Sequence, residues 1–121
     1  MPTSVGRTVK APILCDLDGV VWLLHQPIVG SVEAIARLRA AGHRVLFVTN
    51  NSSATVSTQE NDLQKIGIPA TGDVCTSAQA AALLLAPGER VLVAGGPGIV
   101  EAIEQRGAVV VARTDSDMSE P

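Results

Sequence analysis

Asp16 and Asp18 stand one residue apart where the apolar run Ala11 to Leu17 ends, and Gly19 follows them. Side chains two apart along an extended chain point to the same side, so both carboxylates emerge together. Two acids beside an apolar strand are costly to desolvate without a cation, and hard oxygen ligands of this kind suit Mg²⁺. Gly19, with no Cβ, lets the backbone leave the strand sharply and approach a ligand closely. The arrangement fits a metal and an anion together. Toward a phosphate ester, Asp16 would act as nucleophile. Asp18 would first protonate the leaving oxygen and then activate the water that opens the aspartyl phosphate. A metal ion between carboxylate and phosphate offsets their repulsion.

A second cluster follows the next apolar run. In Phe47 to Ser53 the chain turns abruptly from hydrophobic to small hydroxyl and amide side chains. The Thr49 hydroxyl and the Asn50 backbone N–H are neutral donors that a phosphoryl oxygen can use without meeting added negative charge. Each cluster alone is ordinary, since such residues also serve as turn formers and helix caps.

These residues need elements to position them. Short apolar runs at Ala11 to Leu17, Arg44 to Val48, Asp73 to Cys75, Arg90 to Ala94 and Ala108 to Ala112 predict strands. Helical periodicity fills the gaps. Ser31 to Ala41 has Ser31 as its expected N-cap, and Ser57 to Ile66 has an expected capping box through Glu60. Thr76 to Leu85 opens with a box through Gln79, and Pro97 to Gln105 completes the set. Strand and helix in strict alternation imply right-handed crossovers and an α/β fold around a parallel sheet, with ligands at the carboxyl ends of its strands.

Composition narrows the function classes. The chain has 121 residues, enough for one modest domain. A mean hydropathy of +0.30 suggests strands buried on both faces. Trp22 and Phe47 are the only aromatic residues, too few for a base-stacking surface or an aromatic membrane belt. A net charge of −3 argues against a nucleic-acid partner. Neither a signal peptide nor a membrane anchor is visible, and Cys15 and Cys75 read as buried thiols in a reducing compartment, so a cytoplasmic location is expected.

Taken together, several stretches resemble the NagD/4-nitrophenylphosphatase branch of the haloacid dehalogenase superfamily, over residues 11 to 112. They are Asp16-Leu17-Asp18-Gly19-Val20-Val21-Trp22, Gly30 before a helix, Gly42 to Ser53, Leu63 to Pro69, and Thr76-Ser77-Ala78-Gln79-Ala80. The resemblance implies the first part of a Rossmann-like core over residues 8–70 and the start of an α/β cap over 71–112, while the polar, aperiodic residues 113–121 read as a disordered tail. It implies Asp16 as nucleophile and Asp18 as acid/base, both serving the Mg²⁺ site, with Asp18 contributing its backbone carbonyl. Thr49 and Asn50 would form the phosphate-binding motif, and Gly19, Asn51 and Ser52 would line the same pocket. The substrate would be a small phosphorylated metabolite, and self-association a homodimer through the cap. Relatives are longer and add a lysine and a further acidic motif after the cap, so truncation within the cap is expected. Ala54 departs from the basic residue common after the Asn-Asn-Ser-Ser run. A hydrolase is the leading expectation, and the alternative is a non-catalytic remnant that binds phosphate or Mg²⁺ weakly. A phospho-accepting receiver domain fits less well, because receivers place their acids and phospho-acceptor on separate strands.

Other features favour structural roles. Gly95-Gly96-Pro97-Gly98 lacks the Lys-Ser/Thr ending of a nucleotide-binding loop and reads as a tight strand-to-helix turn. His25 and His43 lack metal-ligand spacing, and His25 reads as a surface residue in the segment after Asp16, where the resemblance implies a flap controlling pocket access. Trp22 reads as core packing, Lys65 as a cation meeting a helix C-terminus, and Asp115 and Asp117 as solvated.

Overall fold

The computed structural model describes residues 10–114. Asp115, Asp117 and most of the expected tail lie outside the described residues, whereas Arg113, assigned to that tail from sequence, closes the last strand. The elements run β1 (Ile13–Asp16), β2 (Trp22–Leu23), β3 (Gln26–Pro27), α1 (Ser31–Ala40), β4 (Val45–Thr49), α2 (Val56–Lys65), β5 (Val74–Thr76), α3 (Ser77–Ala82), β6 (Arg90–Val93), α4 (Pro97–Gln105) and β7 (Val109–Arg113). Strands β1, β4 and β5 form a parallel sheet with β4 in the centre. Strands β6 and β7 form a separate parallel pair, and β2 and β3 an antiparallel hairpin. The α/β class with a parallel sheet is therefore present. The expected division at 70/71 falls in the α2–β5 connection, and β5 pairs with the first sheet.

Burial on both faces does not hold for this sheet. Its strands advance in one direction, β1 to β4 to β5, and right-handed crossovers then place both connecting helices on the same face. Ile35 of α1 and Leu63 of α2 accordingly share one core with Val45, Phe47 and Val74. The opposite face carries Leu14, Asp16, Leu46, Val48 and Cys75, and Leu14 is 69% exposed. Cys75, expected to be buried, is exposed for this reason.

Capping explains the helix starts. Thr76 and Gln79 form the reciprocal capping box anticipated for α3, with bonds of 3.1 and 2.8 Å. The box expected at Ser57 and Glu60 is replaced. Thr55 caps α2 by accepting the Thr58 N–H at 3.3 Å, and the Glu60 carboxylate instead accepts the Gly72 N–H at 2.9 Å. Ser31 is not the cap of α1 either: Gly30 holds that position, and the Ser31 hydroxyl donates to the Val21 carbonyl at 2.8 Å. That bond ties α1 to the loop after β1. Asp73, just before β5, pairs with Arg39 of α1 and with Arg44, which precedes β4, at 3.3 and 3.2 Å. It thereby fixes where β5 enters the sheet. Among the described residues no helix is long and apolar enough to cross a membrane.

Candidate active site

Asp16 is the last residue of β1, and its register partner is Val48, which in turn pairs with Cys75. Equal register in a parallel sheet puts these three side chains on one face, the open one. Beyond Asp16 the chain reverses within a few residues: the N–H groups of Val20, Val21 and Trp22 converge on the Leu17 carbonyl at 3.2, 2.9 and 3.2 Å. Gly19 adopts φ 88°, a value that L side chains disfavour, and its N–H donates to the Trp22 carbonyl at 2.8 Å. With Leu17 buried beneath, Asp18 is held on a tight turn at the strand end.

Thr49 ends the central strand and is buried. Its hydroxyl oxygen accepts the Asn51 N–H at 3.0 Å. A hydroxyl has one proton to donate besides the lone pairs it offers, so the Thr49 proton remains for a bound anion. The following loop is braced from two sides. The Asn51 side chain accepts the N–H groups of Ser53 and Ala54 at 3.1 and 3.4 Å. The buried Gln59 of α2 donates to the Asn51 carbonyl at 3.0 Å, and the Gly98 N–H of α4 donates to the Ser53 carbonyl at 2.8 Å.

Asp16, Asp18, Thr49 and Asn50 line one open cavity of about 530 Å³ with Val48, Cys75, Thr76, Ser77 and Ala80. Three other residues expected there from sequence lie elsewhere. Gly19 shapes the turn beneath Asp18, Asn51 folds back onto its own loop, and Ser52 lines a neighbouring apolar cavity between α3, β6 and α4. Conversely, the contribution of β5 and the start of α3 was not anticipated as part of the site. Its sequence signal was the Thr76 to Gln79 capping box, which marks a strand end at the same level as Asp16 and Thr49. The Gly-Gly-Pro-Gly run is the tight turn expected, with Gly96 as N-cap and Pro97 opening α4.

Among the described residues neither Asp16 nor Asp18 is ion-paired, and no lysine or arginine lines the cavity. No group of three His, Cys, Asp or Glu side chains able to hold a metal converges among them. What the site offers is two unmatched carboxylates facing neutral donors.

The two cysteines differ in kind. Cys15 lies on the covered face, where burial and then the adjacent Asp16 carboxylate push its thiol above the usual range, and its Sγ lies 3.4 Å from the Asp16 carbonyl oxygen. Cys75 faces the cavity. The thiolate is the reactive form, so iodoacetamide near neutral pH is expected to alkylate Cys75 at least about tenfold faster than Cys15. Peptide mass mapping over time measures the order, and labelling of Cys15 first would contradict the facial assignment.

A family profile described as haloacid dehalogenase-like hydrolase matches residues 13–109. The D-glycerol 3-phosphate phosphatase of Mycobacterium tuberculosis is 42% identical over 106 residues, covering 84% of this chain and 29% of that protein. The 4-nitrophenylphosphatase of Schizosaccharomyces pombe is 31% identical over 112 residues, covering 87% of this chain and 38% of that protein. A crystal structure of glycerol phosphate phosphatase from M. tuberculosis in complex with magnesium superposes with a TM-score of 0.74 at 38% identity, over 84% of this chain and 31% of that one. The chain thus spans about a third of the length of these curated relatives.

Proposed function

The chain belongs to the haloacid dehalogenase-like hydrolases, and from that premise we propose that its cavity is a Mg²⁺-dependent phosphomonoesterase site working through an aspartyl phosphate on Asp16. The observation that carries this reading is the shared lining: Asp16 at the end of β1 and Asp18 on the turn after it share one cavity with Thr49 at the end of β4 and Asn50 just beyond it. Relatives named for glycerol phosphate support a small phosphorylated polyol as substrate, and the small side chains of Ser77 and Ala80 leave room for it.

The donor set fits magnesium. This ion is commonly held by one or two carboxylates together with substrate phosphate oxygens and waters, and Asp16 and Asp18 would supply the protein's share. When bound, it neutralises charge between carboxylate and phosphate. The remaining work belongs to the chain. An Asp16 carboxylate oxygen attacks phosphorus, and the ester oxygen departs with the proton that Asp18 donates. The Thr49 hydroxyl and Asn50 N–H hold the phosphoryl oxygens as charge redistributes. Asp18, now a carboxylate, takes a proton from the water that attacks the phosphoaspartate, and this releases phosphate and restores Asp16. The β6–α4–β7 unit would be the first part of a cap over this cavity.

One observation favours a second reading. Only two carboxylates converge among the described residues, which suits a domain that binds phosphate or Mg²⁺ without turnover. Hydrolysis of 4-nitrophenyl phosphate separates the two readings. The first expects 4-nitrophenol release by the chain that EDTA stops and added Mg²⁺ restores. The second expects calorimetric binding of Mg²⁺ or inorganic phosphate with no release above a buffer blank.

A further inference from the structure

The β2–β3 hairpin carries the chain's only tryptophan and one of its two histidines. Leu24 and His25, which form its turn, adopt positive φ values of 50° and 63°, a left-handed conformation that side chains with a Cβ disfavour. Such residues persist where their surroundings over-determine them. Here the His25 ring lies 4.6 Å from the Trp22 ring at a 47° tilt, and His25 Nε2 lies 3.6 Å from Asp62 Oδ2 on α2. Trp22 is buried, it bridges to Asp18, and its carbonyl accepts the Gly19 N–H at 2.8 Å. A continuous set of contacts therefore runs from α2 through His25 and Trp22 to the turn that carries Asp18.

We propose that His25 and Asp62 form a proton-dependent clasp that seats the β2–β3 hairpin against α2 and so steadies the Asp18–Gly19 turn. His25 is then a positioning residue that acts through Trp22. The ion pair exists only while the imidazole is protonated. With a neutral ring, the left-handed turn keeps its packing against Trp22 and the β2–β3 pairing but loses the charge contact to α2. The charged neighbours are Asp62 and, beyond it, Lys65, whose Nζ lies 3.8 Å from the other Asp62 oxygen. Lys65 shares the carboxylate, whereas Gln26 next to His25 is neutral. The His25 and Asp62 side chains are 53% and 27% exposed, so the clasp shifts the local opening equilibrium by about two- to fivefold, the range of solvent-screened ion pairs. The catalytic consequence for Asp18 rests on the function proposed above, but the clasp itself does not.

The test uses the full chain without substrate. A protonated imidazole beside an indole quenches its emission, so Trp22 fluorescence is expected to be lower in acid than in mildly alkaline buffer. The difference should persist in His43→Gln and vanish in His25→Gln. Residue-resolved amide exchange at the acid end reads the turn directly. Gly19 protection is expected to drop about two- to fivefold in His25→Gln and Asp62→Asn, and to be retained in Asp62→Glu and Lys65→Gln, while the Phe47 amide of β4 stays unchanged as an internal reference. An acid quench that survives in His25→Gln, or Gly19 protection in Asp62→Asn equal to the parent's, would overturn the clasp. So would a loss shared equally by Phe47, because the effect would then be global. Absence of phosphatase activity would count against the proposed function and leave both readouts intact.

Discussion

Asp16→Asn is expected to reduce Mg²⁺-dependent phosphatase activity by at least about 10⁴-fold, the scale at which enzymes lose a covalent nucleophile. Asp18→Asn is expected to lose about 10²- to 10⁴-fold, the contribution of a general acid and base, and to differ in what it leaves behind. In Asp16→Asn no oxygen can attack phosphorus, so no phosphoenzyme forms. In Asp18→Asn the attack survives, above all for 4-nitrophenyl phosphate, whose leaving group needs little protonation, but the water that should follow is not activated. The chain should then gain one phosphoryl group, visible by intact-protein mass spectrometry and removable with hydroxylamine. Both carboxylates are exposed and free of ion pairs among the described residues, so amide replacements should move stability by no more than about 0.5 kcal/mol. Loss of activity with an unchanged melting curve therefore reports on chemistry. If Asp16→Asn hydrolysed at the parental rate, the nucleophile assignment would be lost. A phosphoryl adduct on that variant would move the acceptor to another residue.

The carboxylate pair was legible because it obeys local rules. Period-two geometry puts Asp16 and Asp18 together wherever β1 ends, and an abrupt switch from Phe47-Val48 to hydroxyl and amide residues marks the end of β4 just as locally. Strand and helix alternation likewise gave the parallel sheet, and the Thr76 to Gln79 box gave the start of α3. What escaped depends on tertiary placement. Average hydropathy cannot tell one covered face from two, and only the strand order β1-β4-β5 shows that α1 and α2 lie on the same side and leave Cys75 in the cavity. The competition for Glu60 is equally nonlocal, since a cap five residues upstream and a backbone N–H twelve residues downstream decide where its carboxylate goes. Asn51 and Ser52 directly follow Thr49 and Asn50 in sequence, yet the turn directs one into its own loop and the other toward the apolar cavity. The β2–β3 hairpin was invisible to patterning because its strands are two residues each and its turn lacks the Asn or Gly that usually announces one.

Gly98→Ala is expected to destabilise the fold by about 3 kcal/mol, near the upper end of the range for overpacking a tight interior. Gly98 sits in the first turn of α4 with its N–H on the Ser53 carbonyl at 2.8 Å. A Cβ built there would run into the backbone carbonyl oxygens of both Ser52 and Ala54. Neither obstacle is a flexible side chain, so no rotamer change relieves the overlap. Either α4 withdraws and breaks its bond to Ser53, or the loop from Asn50 to Ala54 is pushed toward the cavity. The loop is the costlier element to move, because Gln59 and the Asn51 side chain already brace it. For a domain of this size the melting temperature should drop by roughly 10 to 20 °C, measurable by thermal denaturation. Gln105→Ala, at the exposed end of the same helix, should stay within about 0.5 kcal/mol of the parent. The two escape routes also separate in function. Withdrawal of α4 leaves inorganic phosphate affinity nearly intact at low temperature, whereas displacement of the loop weakens it, since Thr49 and Asn50 move with their neighbours. A Gly98→Ala chain that melted with the parent would show that α4 does not hold the Asn50 to Ala54 loop, and the small residue at this position would then need a different explanation.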